Sequence, residues 1–150
     1  MRTQIFSLLV LSFVLVFLQG SEGCGFITHM EAANRAALFF NRTFEGYDIR
    51  KLIHKHPDAF QTGVVYPDSF YSPLCLQGEF EHFSKITHGL DYIKAALDYF
   101  AKTYGTGMGE DGEKLLVFIM GNIAHHVQDK VWHGYVRKIF STFFVEGRKD

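Results

Sequence analysis

The sequence has no run of basic residues, and its 15 Lys and Arg nearly balance 16 Asp and Glu, leaving a formal charge of −1. Binding to nucleic acid, or to an anionic membrane, through charge alone is therefore disfavoured. Strand-like alternation is scarce, which points to a mostly helical chain. There is no internal repeat, low-complexity segment or Pro/Gly-rich linker, so the chain beyond its amino-terminal leader reads as one domain, long enough for a modest core. The apolar run from Ile5 to Leu18, broken only by Ser7 and Ser12, is roughly 14 residues, short of the about 20 that span a bilayer. Nothing resembles a serine or cysteine nucleophile with its base, since Cys75 has no evident partner of that kind. No histidine follows His133.

What is present begins with Arg2, the apolar run, and then Ser21-Glu22-Gly23. A positive start, a short apolar core and a small-residue exit make residues 1–23 a secretory signal peptide, with Cys24 as the first residue of a secreted chain. No transmembrane segment is expected after processing. In an oxidising compartment the two cysteines, Cys24 and Cys75, are most simply a disulfide. Asn41-Arg42-Thr43 fits a glycosylation acceptor.

The remainder reads as a series of helices. Thr28 and Glu31 form a capping box opening a helix through Leu38. Asp48 caps a second, from Ile49 to His56, stopped by Pro57. Residues 57–80 hold all three prolines and read mainly as loop, with a helical turn around Phe60. Ser84 caps a third helix whose Ile86, Leu90, Ile93, Leu97 and Phe100 share an apolar side, ended by Gly105, Gly107 and Gly109. Asp111 caps a long helix that runs toward Trp132.

That last helix carries His125, Asp129 and His133 at four-residue intervals. Each such step turns about 40° around a helix, so the three side chains issue from one face. Imidazole and carboxylate suit a borderline cation such as zinc. Because Leu115, Leu116, Phe118, Ile119 and Ile123 lead into the triplet, the polar face is expected to point inward. Further candidate ligands are His29, whose place in a first helical turn disfavours protonation, Asp68, and one of His82 and His88, which spacing does not separate. His54 and His56 read as solvated, and His126 points about 100° away from His125.

Several motifs in order resemble the amino-terminal zinc-dependent phospholipase C/D domain of the glycosylphosphatidylinositol-specific phospholipases D: Cys24-Gly25-Phe26-Ile27-Thr28-His29, Asp58-Ala59-Phe60-Gln61-Thr62-Gly63, Tyr66-Pro67-Asp68, Phe70-Tyr71, Thr87-His88 and His125-x3-Asp129-x2-Trp132-His133. More distantly they are similar to bacterial zinc-dependent phospholipases C and fungal zinc nucleases. The resemblance implies an all-α, multi-helix fold over residues 24–150. It implies a first metal held by the amine and carbonyl of Cys24 together with His29, and a second held by Asp68, His88 and His125. Asp129 would bridge the two, and Asp68 and Asp129 would be the catalytic carboxylates. His133 would begin a third site, which needs a further histidine and an acid four residues after it; Glu146 does not replace that pair. The third site is thus expected to be incomplete and the domain truncated at its carboxy terminus. The implied function is zinc-dependent hydrolysis of the phosphodiester of GPI anchors, releasing phosphatidic acid, with GPI-anchored proteins or phospholipid headgroups as partners and transient contact with a membrane surface. The alternatives are a non-catalytic secreted module binding metal or lipid, and a zinc nuclease.

Overall fold

A computed structural model describes residues 25–44, 46–71, 79–105 and 107–136. The elements run α1 (Phe26–Phe39), β1 (Thr43–Phe44), β2 (Tyr47–Asp48), α2 (Ile49–Lys55), α3 (Pro57–Val65), a 3₁₀ turn (Pro67–Phe70), α4 (Glu81–Thr87), α5 (Leu90–Tyr104) and α6 (Glu110–Val131). A π-helical turn, Trp132–Val136, continues α6. The sheet is a single antiparallel pairing of Thr43 with Asp48 and Phe44 with Tyr47. The fold is all-α, as expected. The expected signal peptide, Cys24, Cys75 and Glu146 lie outside the described residues.

Helix α1 starts before Thr28. The Gly25 carbonyl accepts from Thr28 N at 2.8 Å and His29 N at 3.2 Å, and no side chain caps the end. The expected capping box therefore does not form: Thr28 is already helical, and its own N–H is bonded. His29, Ala33 and Ala37, four residues apart, are the buried positions of this helix. Asp48 does cap α2, accepting from Lys51 N at 3.1 Å.

Pro57 ends α2 and also begins α3, which replaces the first nine residues of the loop expected after it. At the first helical position proline sacrifices no intrahelical bond, and its fixed φ suits the turn. Gly63, read as a loop residue, sits inside α3 because backbone contact demands it: a Cβ there would overlap the Phe118 carbonyl of α6. The matching position on α6 is Gly121, where a Cβ would lie 2.8 Å from Val64 N and 3.0 Å from Gly63 C. Two helices with glycine at their crossing approach more closely than side chains permit. Around this crossing Ile49, Val64, Leu116, Val117 and Ile119 are fully buried.

Ser84 is not a cap. It is buried within α4, and the expected single helix breaks at His88-Gly89. The break shifts the phase of the apolar stripe. Ile93 and Phe100 stay in the core, whereas Ile86 is 56% and Leu90 59% exposed. Helix α6 begins from Gly109 rather than from an Asp111 cap, with Glu110, Asp111 and Glu113 in its first turn, where the helix dipole favours anions. His56, expected to be solvated, is buried; its Nε2 lies 2.7 Å from Glu113 Oε2, which also accepts from Lys55 Nζ at 2.6 Å. His54 is exposed.

Candidate metal centre

Five of the candidate side chains converge. His29 comes from α1, Asp68 from the 3₁₀ turn, His88 from the end of α4, and His125 and Asp129 from α6. His88 Nε2 lies 3.1 Å from Asp68 Oδ1 and 3.4 Å from Asp129 Oδ2. His125 Nε2 is 3.4 Å from the same Asp129 oxygen, and His29 Nε2 is 3.2 Å from Asp129 Oδ1. Two groups of donor atoms, His29/His125/Asp129 and Asp68/His88/His125, each fall within 4.8 Å. His82 is exposed on α4; its neighbour in the sequence contest, His88, is the one brought inward.

Backbone carbonyls orient two of the imidazoles. His125 Nδ1–H donates to the Val64 carbonyl at 2.8 Å, and His88 Nδ1–H to the Ser84 carbonyl at 2.6 Å. With Nδ1 carrying the proton, each neutral ring turns a bare Nε2 lone pair toward the centre, the second-shell arrangement that fixes a ligand's tautomer. Those two Nε2 atoms are only 3.1 Å apart. Two lone pairs at that distance repel unless a proton or another cation lies with them.

The remaining atoms say the same. His29 Nε2 and Asp129 Oδ1 are buried and close, yet neither makes a hydrogen bond among the described residues. Their alignment suits a third atom between donors better than a bond to each other. A set of imidazole nitrogens and carboxylate oxygens is the chemistry of a zinc-type cation, so the residues present fit such an ion.

Protonation of the metal-free centre follows from the same contacts. Burial alone would lower His88, but hydrogen bonds to Asp129, Asp68 and the Ser84 carbonyl prevail and raise its pKa from 6.5 to about 10. Burial would raise the Asp129 carboxyl, but the surrounding His125, His29 and His88 rings hold it well below the usual carboxylate range. Tyr71, whose ring centroid is 5.6 Å from that of His88, is pushed above 10 by burial and by the charges of Asp68, Glu81 and Asp129. Burial and the Lys130 charge lower His126, which packs beside the centre without joining it.

His133 is not brought to this cluster. It is exposed on the π-helical turn, although His125 is buried and Asp129 mostly so. The α-helical bonding assumed for all three positions gives way to i→i+5 bonding from Trp132 on, one residue before His133. Asn41 is exposed between α1 and β1. The Val64 and Ser84 carbonyls carry no mark in the sequence as parts of a site, although the four-residue step from Ser84 to His88 is visible once helix is assigned.

Residues 28–147 match the zinc-dependent phospholipase C family. The chain belongs to that family. It is 36% identical over 124 residues to phosphatidylinositol-glycan-specific phospholipase D of Rattus norvegicus, covering 83% of this chain and 15% of that protein. The Bos taurus protein of the same name is 38% identical over 113 residues, covering 75% of this chain and 14% of its own length, and the Homo sapiens protein is 36% identical over 110 residues, covering 73% and 13%. This chain therefore spans about one-seventh of the length of those curated relatives. No solved structure matches it. Among the described residues no helix is long and apolar enough to cross a membrane.

Proposed function

We propose that this chain carries the metal centre of a secreted zinc-dependent phosphodiesterase that cleaves phosphatidylinositol-glycan anchors and leaves phosphatidic acid. The observation that carries the reading is the convergence of His29, Asp68, His88, His125 and Asp129 from four separate elements, with buried donor atoms facing one another.

Two ions fit this donor set best. His125 belongs to both groups of donors, but its single Nε2 lone pair serves one ion. A carboxylate has two oxygens, and those of Asp129 face different partners: Oδ1 faces His29, and Oδ2 faces His88 and His125. On that basis Asp68, His88 and His125 would hold one ion, His29 would hold the other with the Cys24 backbone that the family resemblance adds, and Asp129 would contribute to both. When bound, zinc withdraws electron density from phosphate oxygens and brings the pKa of water toward about 7. Of the two Asp68 oxygens, Oδ1 lies 3.1 Å from His88 and Oδ2 no nearer than 3.8 Å to His29, so Oδ2 would be the freer to accept a proton from water at the centre. The closed side of the cluster, where His29 and His125 are 0% and 1% exposed, excludes water from the inner ligands. The substrate itself resides in a membrane, so contact with the lipid surface is transient and the chain needs no span of its own.

The test is release of a phosphatidylinositol-glycan-anchored reporter from vesicles by purified protein, with chelator and zinc added back. Zinc-dependent release of the reporter together with phosphatidic acid is expected. Tight zinc binding without release would assign the chain instead to the non-catalytic metal- or lipid-binding class.

A further inference from the structure

On the reading of this centre as a phosphodiester site, we propose that Tyr71 binds substrate, its phenolic hydroxyl donating a hydrogen bond to a non-bridging oxygen of the phosphate held at the centre.

Three observations lead there. First, Tyr71 and Asp68 are built as a unit: Tyr71 follows the 3₁₀ turn that presents Asp68, and its N–H donates to the Asp68 carbonyl at 3.2 Å. Whatever places the ligand also places the phenol. Second, the centre is sealed on one side and open on the other. His88, Asp68 and Asp129 retain 21%, 17% and 13% exposure, whereas His29 and His125 retain essentially none. The half-buried Tyr71 ring packs at an interplanar angle of 53° against His88, the most exposed of these five side chains.

Third, the charge around that opening calls for a neutral donor. The phenol lies in the field of Asp68, Glu81 and Asp129, with Lys85 as the nearby cation. The Lys85 ammonium is engaged 3.0 Å from Glu81 and points outward, 68% exposed. A phosphodiester approaching the carboxylates therefore needs a donor that adds no negative charge. A tyrosine O–H meets that need, and a bond to an anionic oxygen is of the stronger, charge-assisted kind.

The experiment titrates inorganic phosphate into zinc-loaded wild type, Tyr71→Phe and Tyr99→Phe by calorimetry, with zinc content measured on the same samples. Tyr99 is exposed on α5 and serves as the control. Loss of one hydrogen bond to a charged group is expected to weaken phosphate binding about tenfold in Tyr71→Phe, with zinc content unchanged and Tyr99→Phe like wild type. Phosphate binding requires no turnover, so a wild type that binds phosphate but releases no anchored reporter defeats the substrate reading alone. Equal phosphate affinity in wild type and Tyr71→Phe overturns the proposal for Tyr71. So does a loss of affinity that accompanies loss of zinc, which would make the tyrosine a support of the ligands rather than a contact to phosphate.

Discussion

His125 Nδ1–H donates to the Val64 carbonyl at 2.8 Å, across 61 residues of sequence. Val64 follows Gly63, whose missing side chain lets α3 meet α6 at Gly121. The contact that closes the core therefore also sets the tautomer and direction of a central ligand. Stability and metal affinity share one point of failure.

Gly121→Ala tests that coupling. The added methyl has no room against the Phe60 carbonyl and Val64 N, so the helices must separate. Overpacking of this kind costs about 1–3 kcal/mol, measured by urea unfolding of the metal-free protein. Zinc affinity should fall with it, because the Val64 carbonyl moves away from His125. Loss of stability with undiminished zinc affinity would show that the ligand is oriented independently of the crossing.

Asp129 and His133 should behave differently, although both are spaced from His125 in multiples of four. Asp129→Asn removes the carboxylate whose oxygens lie 3.2 Å from His29 on one side and 3.4 Å from His88 and His125 on the other. Its zinc affinity should fall by more than the roughly 10–100-fold typical of outer-shell changes. His133→Ala, on the exposed turn, should retain the wild-type content. Equal losses in the two variants by elemental analysis would contradict these placements.

The acid limb of stability should involve Glu113. Hydrogen bonds from His56 and Lys55 hold its carboxyl below 4.5 in the folded chain. A depressed folded pKa contributes stability that is fully present above the unfolded value and is lost as pH falls through the folded one. Wild type should therefore weaken as pH drops below about 4.5, and Glu113→Gln should be less stable at neutral pH with a flatter acid limb. Denaturation midpoints followed from pH 7 downward give the comparison; parallel curves for the two proteins would assign the acid limb to other groups.

Local chemistry made much of this legible. The Asp48 cap depends on a bond three residues away, and the pairing of His125 with Asp129 depends only on helical spacing. The ordered motifs added Asp68 and His88, which composition could not choose. What stayed hidden was tertiary. His56 looked solvated because its partner, Glu113, is 57 residues distant. Pro57 marked an end, and nothing local showed that it was also a beginning. Gly63 read as a loop residue because the sequence does not reveal which backbone lies against it. Ile86 and Leu90 kept an unbroken helical period on paper, whereas the turn at His88-Gly89 sends both to the surface. The change to π-helical bonding at Trp132, one residue before His133, is likewise not encoded in spacing.

The central claim is that five side chains from distant parts of the chain form one metal centre. Its most direct measurement is elemental analysis of purified, folded protein after equilibration with zinc and removal of free ion. About two zinc ions per chain are expected, two being the number a shared carboxylate holds in such centres. A folded protein that retains no zinc would contradict the claim.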